Sequence, residues 1–200
     1  MMVEVERQFR YPDAETLEKL RQACTFITQK QNHDGYYQHP EGDNAQKDWW
    51  LRQRNGSWQL KYMTPYGQYT EFHGPKAIAE KLALTGAPEE DAAFEAFLLS
   101  QGYWKLVEYT VERETLRQGP LTIELERILY ADPQYNLAMM EVEMEVPEAE
   151  VALAEQTIED AATQFGLIRL ESFGKATHYI KAVHPEVYAI MLAHGVIRAA

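Results

Sequence analysis

The stretch that decides the fold is Met2-Val3-Glu4-Val5-Glu6-Arg7-Gln8-Phe9, in which apolar and polar side chains alternate. Successive side chains of a β-strand point to opposite faces of the sheet. The two valines, the arginine and the phenylalanine therefore share one face, and Glu4, Glu6 and Gln8 share the other. The stretch predicts a strand with one largely apolar face and two carboxylates on its opposite face.

Three further predicted strands each carry a pair of like charges on one face. The pairs are Arg52 with Arg54, Glu124 with Glu126, and Glu141 with Glu143, and Lys61 lies in the strand that follows the arginine strand across a turn. One interpretation is the solvated outer face of antiparallel sheets, which alternate in this way routinely. However, neighbouring like charges are unfavourable on an open sheet. The other interpretation is a barrel or tunnel with the charges inside, filled with water and ligand because unpaired buried charge is costly.

The second interpretation carries a chemical prediction. Clustered carboxylates offer the oxygen ligands that Mg²⁺ and Mn²⁺ prefer. Clustered arginine and lysine side chains bind phosphate oxygens, and arginine can do so through two parallel hydrogen bonds. One cavity with both sets of groups suits metal-assisted phosphoryl transfer, in which positioning and charge neutralisation supply most of the catalysis.

Composition limits the class of protein. The chain has 200 residues, 46% of them hydrophobic and 25% charged, with a net charge of −12 and one cysteine. We therefore expect one globular domain over residues 1–200, and neither non-specific nucleic-acid binding nor a disulfide within the chain. No apolar run is long enough for a membrane-spanning helix, and the first residues do not resemble a secretory signal. The expected location is the cytoplasm.

The order of predicted elements indicates a single α+β domain, with about eight strands, mostly adjacent in sequence, among four to five helices. His33-Asp34-Gly35 predicts a turn or loop, and residues 41–44 predict a polar loop. Asn55-Gly56 predicts a hairpin turn, and residues 64–67 predict another turn.

These segments together resemble a known family. The stretch Glu4-Val5-Glu6-Arg7-Gln8 resembles the Glu-x-Glu-x-Lys signature of the CYTH superfamily, the triphosphate tunnel metalloenzymes. Residues 48–61, which read DWWLRQRNGSWQLK, are similar to a region of the thiamine triphosphatases, the group within the superfamily that the chain resembles most. Further segments match in the order of the family's motifs, at Tyr36-Tyr37-x-x-Pro40, Thr70-Glu71-Phe72, Val111-Glu112-Arg113, Glu141-Val142-Glu143 and Lys175. The resemblance spans roughly residues 3 to 180 and implies a closed or nearly closed antiparallel eight-stranded β-barrel with helices packed outside.

The resemblance also implies roles for individual residues. The metal-side carboxylates are Glu4, Glu6, Glu124, Glu141 and Glu143, with Glu124 standing where the family has an aspartate. The triphosphate cradle comprises Arg52, Arg54, Lys61, Arg113 and Lys175. Glu6, Glu143 and Lys61 are the candidate catalytic residues, Lys61 as the group that orients or deprotonates the attacking water. Gln8 replaces the signature lysine, and Gln38 replaces an aspartate that follows the two tyrosines.

The expected function is a metal-dependent hydrolase that uses Mg²⁺, with Mn²⁺ as an alternative ion. Thiamine triphosphate or another organic triphosphate is the expected substrate. Two alternatives remain open at this point: an inorganic triphosphatase or adenylate cyclase with the same tunnel, and a phosphate-ligand binding protein with reduced activity. We expect a small-molecule partner, no membrane, no nucleic acid, and a monomer or weak dimer.

Overall fold

A computed structural model describes residues 2–63, 69–170 and 174–197 of the chain. The strands are β1 (Met2–Arg10), β2 (Thr25–Gln38), β3 (Trp49–Arg54), β4 (Ser57–Met63), β5 (Tyr69–His73), β6 (Trp104–Gln118), β7 (Leu121–Tyr130) and β8 (Leu137–Pro147). The α-helices are α1 (Ala14–Ala23), α2 (Asp43–Gln46), α3 (Pro75–Lys81), α4 (Asp91–Ser100), α5 (Val151–Phe165), α6 (Lys175–Val183) and α7 (Pro185–Ala193), and residues 133–135 and 148–150 form single 3₁₀ turns. The predicted turn over 64–67 lies outside the described residues.

The strands form one antiparallel sheet in the order β1-β8-β7-β6-β2-β3-β4-β5. The predicted α+β class and the eight strands are therefore confirmed. Within the described part of the chain, backbone hydrogen bonds do not join the last strand of this order to the first. Closure of the sheet into a barrel stays a prediction.

The chain divides into two compact units, of which the first comprises residues 1–31 and 111–172. Here β1 pairs with β8 from Met2 opposite Pro147 to Arg10 opposite Met139, and β8 pairs with β7 on its other side. The apolar residues of the alternating strands pack against α5 in a core that includes Phe9, Met140 and Ile158. Burial of these residues stabilises the unit by about 1.5–3 kcal/mol for each large side chain, and it fixes the register of the strands, because a slip of one residue would exchange their two faces.

The second unit comprises residues 32–110 and 173–200. The hairpin of β3 and β4 turns at Asn55-Gly56, where both residues have positive φ (50° and 87°), as a two-residue hairpin turn requires. Leu51 and Leu60 face a core with Trp58 and Phe94, so the opposite face of the hairpin carries its polar side chains.

Two local predictions are wrong. His33-Asp34-Gly35 is not a turn, because β2 continues through it to Gln38. The Asp34 side chain is 0% exposed and accepts two hydrogen bonds from Arg54, which lies directly opposite on β3. This pairing offsets the poor strand propensity of aspartate and glycine. The predicted polar loop at 41–44 contains the start of the short helix α2 instead.

Candidate functional site

The strand register of the first unit gathers the predicted carboxylates. Glu6 of β1 lies opposite Glu143 of β8, and Glu124 of β7 lies opposite Glu141 of β8. The side chains form two groups of three whose carboxylate oxygens lie within 4.8 Å of one another. We call Glu4, Glu6 and Glu143 the first acidic cluster, and Glu124, Glu126 and Glu141 the second acidic cluster.

The first acidic cluster is partly exposed and holds carboxylates against one another. Burial raises the pKa of Glu143 to about 7, and the charges of Glu124 and Glu4 act in the same direction. Arg113 opposes this shift without cancelling it. A cation with oxygen ligands would relieve the repulsion, and three carboxylate oxygens at this spacing are ligands that suit Mg²⁺ or Mn²⁺. The residues present therefore fit a divalent ion.

The second acidic cluster is buried and already contacts a cation. Arg113 of β6 places Nη1 2.6 Å from a Glu124 oxygen and donates from Nε to Glu126 Oε1 at 2.8 Å, while its Nη2 lies 3.9 Å from a Glu141 oxygen. Burial alone would lower the pKa of Arg113, but the carboxylates of Glu126 and Glu124 outweigh burial and hold that pKa above its ordinary value. One guanidinium thus partly compensates the three carboxylates of the second acidic cluster.

Gln8 connects the two clusters. Its Nε2 donates to Glu141 Oε1 at 2.9 Å and to Glu6 Oε1 at 3.4 Å. The amide therefore lies between a carboxylate of each cluster. It supplies hydrogen bonds there but no positive charge.

The arginine strand β3 lies in the second unit, where both arginines have defined partners. Arg54 donates from Nε and Nη2 to the two oxygens of Asp34, at 2.7 and 2.8 Å. This pairing raises the pKa of Arg54 above its ordinary range. Arg52 donates from Nε to Gln59 Oε1 at 3.1 Å, across the hairpin. Such bonds fix the orientation of each guanidinium before any ligand binds.

The two lysines of the predicted cradle also lie in the second unit. Lys61 is exposed on β4, opposite Trp50 on β3 and Glu71 on β5. Lys175 is the first residue of α6. The structure thus brings the five predicted metal carboxylates together with Arg113 in the first unit, and it brings Arg52, Arg54 and Lys61 together on one face of the β3–β4 hairpin.

Sequence reasoning assigned no role to Glu126 in the metal site, although the side chain is 0% exposed and belongs to the second acidic cluster. Its spacing of two from Glu124 was the available signal. What the sequence does not show is that Arg113, on the neighbouring strand of a hairpin, binds both carboxylates.

The fold is an eight-stranded antiparallel sheet in which three neighbouring strands carry carboxylates on the same face. Such a face suits a protein that binds cations. The match to a family model makes the assignment specific: the model of the CYTH domain matches residues 2–180, and the chain belongs to this family.

Known proteins agree with this assignment. The chain is 28% identical to the human thiamine-triphosphatase over 215 residues, which cover 96% of this chain and 90% of that protein. Among solved structures, the PH1819 protein of Pyrococcus horikoshii OT3 has a TM-score of 0.59 at 21% identity and covers 92% of this chain and 99% of its own. A putative adenylyl cyclase from Hippeastrum, described as having a dominant triphosphatase activity, has a TM-score of 0.57 at 16% identity and covers 90% and 96%. At these identities the two structures show the fold.

Over the described ranges, no helix is both long and apolar enough to cross a lipid bilayer.

Proposed function

We propose that the protein is a metal-dependent triphosphatase that binds its substrate in a charged β-tunnel. The observation that carries the proposal is the first acidic cluster, whose three carboxylates converge within 4.8 Å in a protein of the CYTH domain family. Such a cluster suits a divalent ion, and a polyphosphate is the anion most in need of one. The similarity to the human thiamine-triphosphatase supports a triphosphate as the substrate.

Glu4, Glu6 and Glu143 would hold Mg²⁺, or Mn²⁺ in its place. The bound ion would neutralise charge on phosphoryl oxygens and lower the pKa of a water ligand. Glu6 and Glu143 act in catalysis by holding the ion, while Glu124 and Glu141 extend the anionic surface next to it. Arg113 keeps these two carboxylates ordered, and its contribution to phosphate binding stays a prediction.

The remaining cations would bind the substrate. Arg52 and Arg54 would neutralise phosphoryl oxygens with guanidinium groups that Gln59 and Asp34 hold in place. Lys175 would add a further charge. Lys61, which is exposed, would donate hydrogen bonds to the attacking water and orient it.

We propose that the substrate is an organic triphosphate. Thiamine triphosphate is the first choice, because the human relative is named for that compound. Hydrolysis of inorganic triphosphate and cyclisation of ATP use the same groups, so they are the alternatives that the assay must separate. Binding without turnover is a third alternative, favoured by the neutral Gln8 between two carboxylates.

Phosphate release from thiamine triphosphate, ATP and tripolyphosphate would be measured with Mg²⁺, with Mn²⁺ and with EDTA. We expect release that depends on the metal and is strongly reduced in the variant Glu143→Gln. The matched control is Glu148→Gln, which removes an exposed carboxylate beyond the end of β8. Cyclic nucleotide with pyrophosphate as the products would identify a cyclase instead. Calorimetric binding of tripolyphosphate without phosphate release would identify a binding protein.

The proposal extends to the molecule as a whole. Residues 1–200 would form one CYTH-like domain whose sheet closes around the substrate, as a monomer or weak dimer in the cytoplasm. A single cooperative unfolding transition, a sedimentation mass between 23.1 kDa and twice that value, and cell fractionation would test these three statements.

A further inference from the structure

Arg10 is the last residue of β1 and continues the polar side of that strand. Strand alternation places Glu4, Glu6, Gln8 and Arg10 on one face, which we call the polar face of β1. Phe9 points the other way and is 0% exposed in the core of the first unit. Burial of Phe9 fixes the rotation of the strand, and with it the face from which the Arg10 side chain leaves the backbone.

The backbone of Arg10 is held on both sides. Arg10 pairs with Met139 of β8, and on the other side of β1 its N–H donates to the carbonyl oxygen of Ile168 at 2.8 Å. Two residues earlier, the N–H of Leu170 donates to the carbonyl oxygen of Gln8 at 3.0 Å. The origin of the side chain is therefore fixed, because groups presented by paired strands are positioned more precisely than groups on loops.

The guanidinium of Arg10 is available to a ligand. Four other arginines of the first unit have acidic partners, namely Arg7 with Glu155, Arg21 with Glu114, Arg113 with Glu124, and Arg169 with Glu159. Arg10 is exposed, and in the described part of the chain its guanidinium has neither an acidic partner nor a hydrogen bond. It can therefore bind an anion without first breaking an ion pair.

The charge around Arg10 gives such a cation a use. The two acidic clusters each hold three carboxylates, and Arg113 compensates only the second of them. Gln8, which lies between the clusters, is neutral. A polyphosphate bound to an ion at the first acidic cluster would lie beside this anionic surface. Arg10 is the cation that β1 presents on its polar face to offset the repulsion.

We infer that Arg10 is a substrate-binding residue that contacts the phosphate group farthest from the ion. The inference rests on the proposed function, because it takes the ion at the first acidic cluster as the anchor of the substrate. A guanidinium can donate two parallel hydrogen bonds to phosphate oxygens. Four residues, or about 14 Å of strand, separate Glu6 from Arg10, so a longer polyphosphate chain spans more of the distance between the ion and the guanidinium.

The test compares Arg10→Met with Arg7→Met in the full chain. Both changes remove one arginine charge from β1, but Arg7 lies on the opposite face and pairs with Glu155. The methylene-bridged analogues of tripolyphosphate and pyrophosphate, which are not hydrolysed, would be titrated by calorimetry with Mg²⁺. We expect Arg10→Met to weaken binding of the longer analogue about tenfold and binding of the shorter one less, whereas Arg7→Met leaves both affinities nearly unchanged.

Thermal unfolding in EDTA supplies the structural readout. Arg10→Met should melt at the temperature of the unmodified protein, because no partner of its guanidinium in the described structure is lost. Equal losses of affinity in the two variants would show an effect of net charge alone. Equal losses for the two analogues would show damage to the strand. Either result would overturn the inference, and so would unchanged affinity in Arg10→Met.

Failure of the proposed function gives a different result, namely no phosphate release from any triphosphate by the unmodified protein. Calorimetry then still decides the inference, because the analogues bind without being hydrolysed. Binding of the longer analogue that Arg10→Met weakens and Arg7→Met does not would support it in a protein without turnover. If the unmodified protein binds neither analogue, the inference is overturned.

Discussion

Like charges lie side by side both on the acidic strands β1, β7 and β8 and on the arginine strand β3, but their surroundings differ. On β3, Arg54 is bound by Asp34 and Arg52 by Gln59, so each guanidinium is oriented by its own partner. In the first acidic cluster the nearest groups to Glu143 include other carboxylates, and its pKa rises to about 7. One region is therefore ordered before a ligand binds, whereas the other stores a repulsion that a cation would relieve. On the proposed function, we expect a divalent ion to raise the melting temperature of the protein more than a phosphate ligand does.

The largest effect should come from breaking the compensated part of the acidic region. Arg113→Met leaves Glu124 and Glu126 buried without their arginine, and removing one partner of a buried ion pair costs about 3–5 kcal/mol. Urea unfolding would measure the loss. The control Arg21→Met breaks an exposed pair with Glu114 and should cost at most about 1 kcal/mol. Equal losses would contradict the distinction between the two pairs.

The next effect concerns turnover. Glu143→Gln removes one ligand of the proposed ion, and we expect metal-dependent phosphate release to fall about 100-fold, or about 2.7 kcal/mol of transition-state stabilisation. The metal-free variant should unfold cooperatively and melt no lower than the unmodified protein, because carboxylate repulsion is reduced. Glu6→Gln should behave similarly. Full activity of either variant in Mg²⁺ would remove the first acidic cluster from the mechanism.

The loss of affinity on removing an arginine of β3 should depend on the number of phosphate groups in the ligand. Arg52→Ala removes a guanidinium oriented by Gln59, and we expect calorimetry to show binding of tripolyphosphate weakened about tenfold, with a smaller loss for monophosphate. A monophosphate offers fewer anionic oxygens to the missing group. If both ligands lose the same factor, the damage is to the hairpin and not to a phosphate contact.

The pH dependence of stability provides a smaller effect with a defined sign. The folded-state pKa of Glu143 is raised to about 7 from an ordinary value of 4.5. Its contribution to stability is therefore present below about pH 4.5 and is lost as the pH rises through about 7. In EDTA, the melting temperature should fall by a few degrees more between pH 5.5 and 8 in the unmodified protein than in Glu143→Gln. Parallel curves would show that Glu143 titrates normally.

The smallest effect should come from giving the acidic clusters a partner of opposite charge, as the arginines of β3 have. Gln8→Lys places an ammonium group between carboxylates of the two clusters, and a partly exposed pair of this kind contributes roughly 1 kcal/mol or less. We expect a slightly higher melting temperature in EDTA and faster hydrolysis of tripolyphosphate. A stable variant that is no better on any triphosphate would indicate that Gln8 is an adaptation to another substrate.

Local patterns predicted the parts of the fold that depend on neighbours in sequence. Alternation placed the glutamates of β1, β7 and β8 on one face, and Asn55-Gly56 located the hairpin. The turn predicted at Asp34 was wrong because the buried Asp34 side chain pairs with Arg54, which lies 20 residues further along the chain. The role of Arg113 depends in the same way on side chains of another strand. The structure of such sites depends on side chains that are distant in sequence, and the hydrophobic periodicity of one segment does not identify those partners.

The pairing of the first and last strands has a consequence for synthesis on the ribosome. Gln8 and Glu141 are 133 residues apart in sequence, whereas Arg113 and Glu126 are 13 apart. At about 5–20 residues per second, the hairpin of β6 and β7 has all its residues well before β8 emerges. The ion pairs of Arg113 with Glu124 and Glu126 can therefore form before Glu141 of β8 is available, and β1 stays unpaired until β8 emerges. We expect Glu4 and Glu6 to limit misassociation of β1 during that interval, because charged side chains disfavour the pairing of an unpaired strand with other chains.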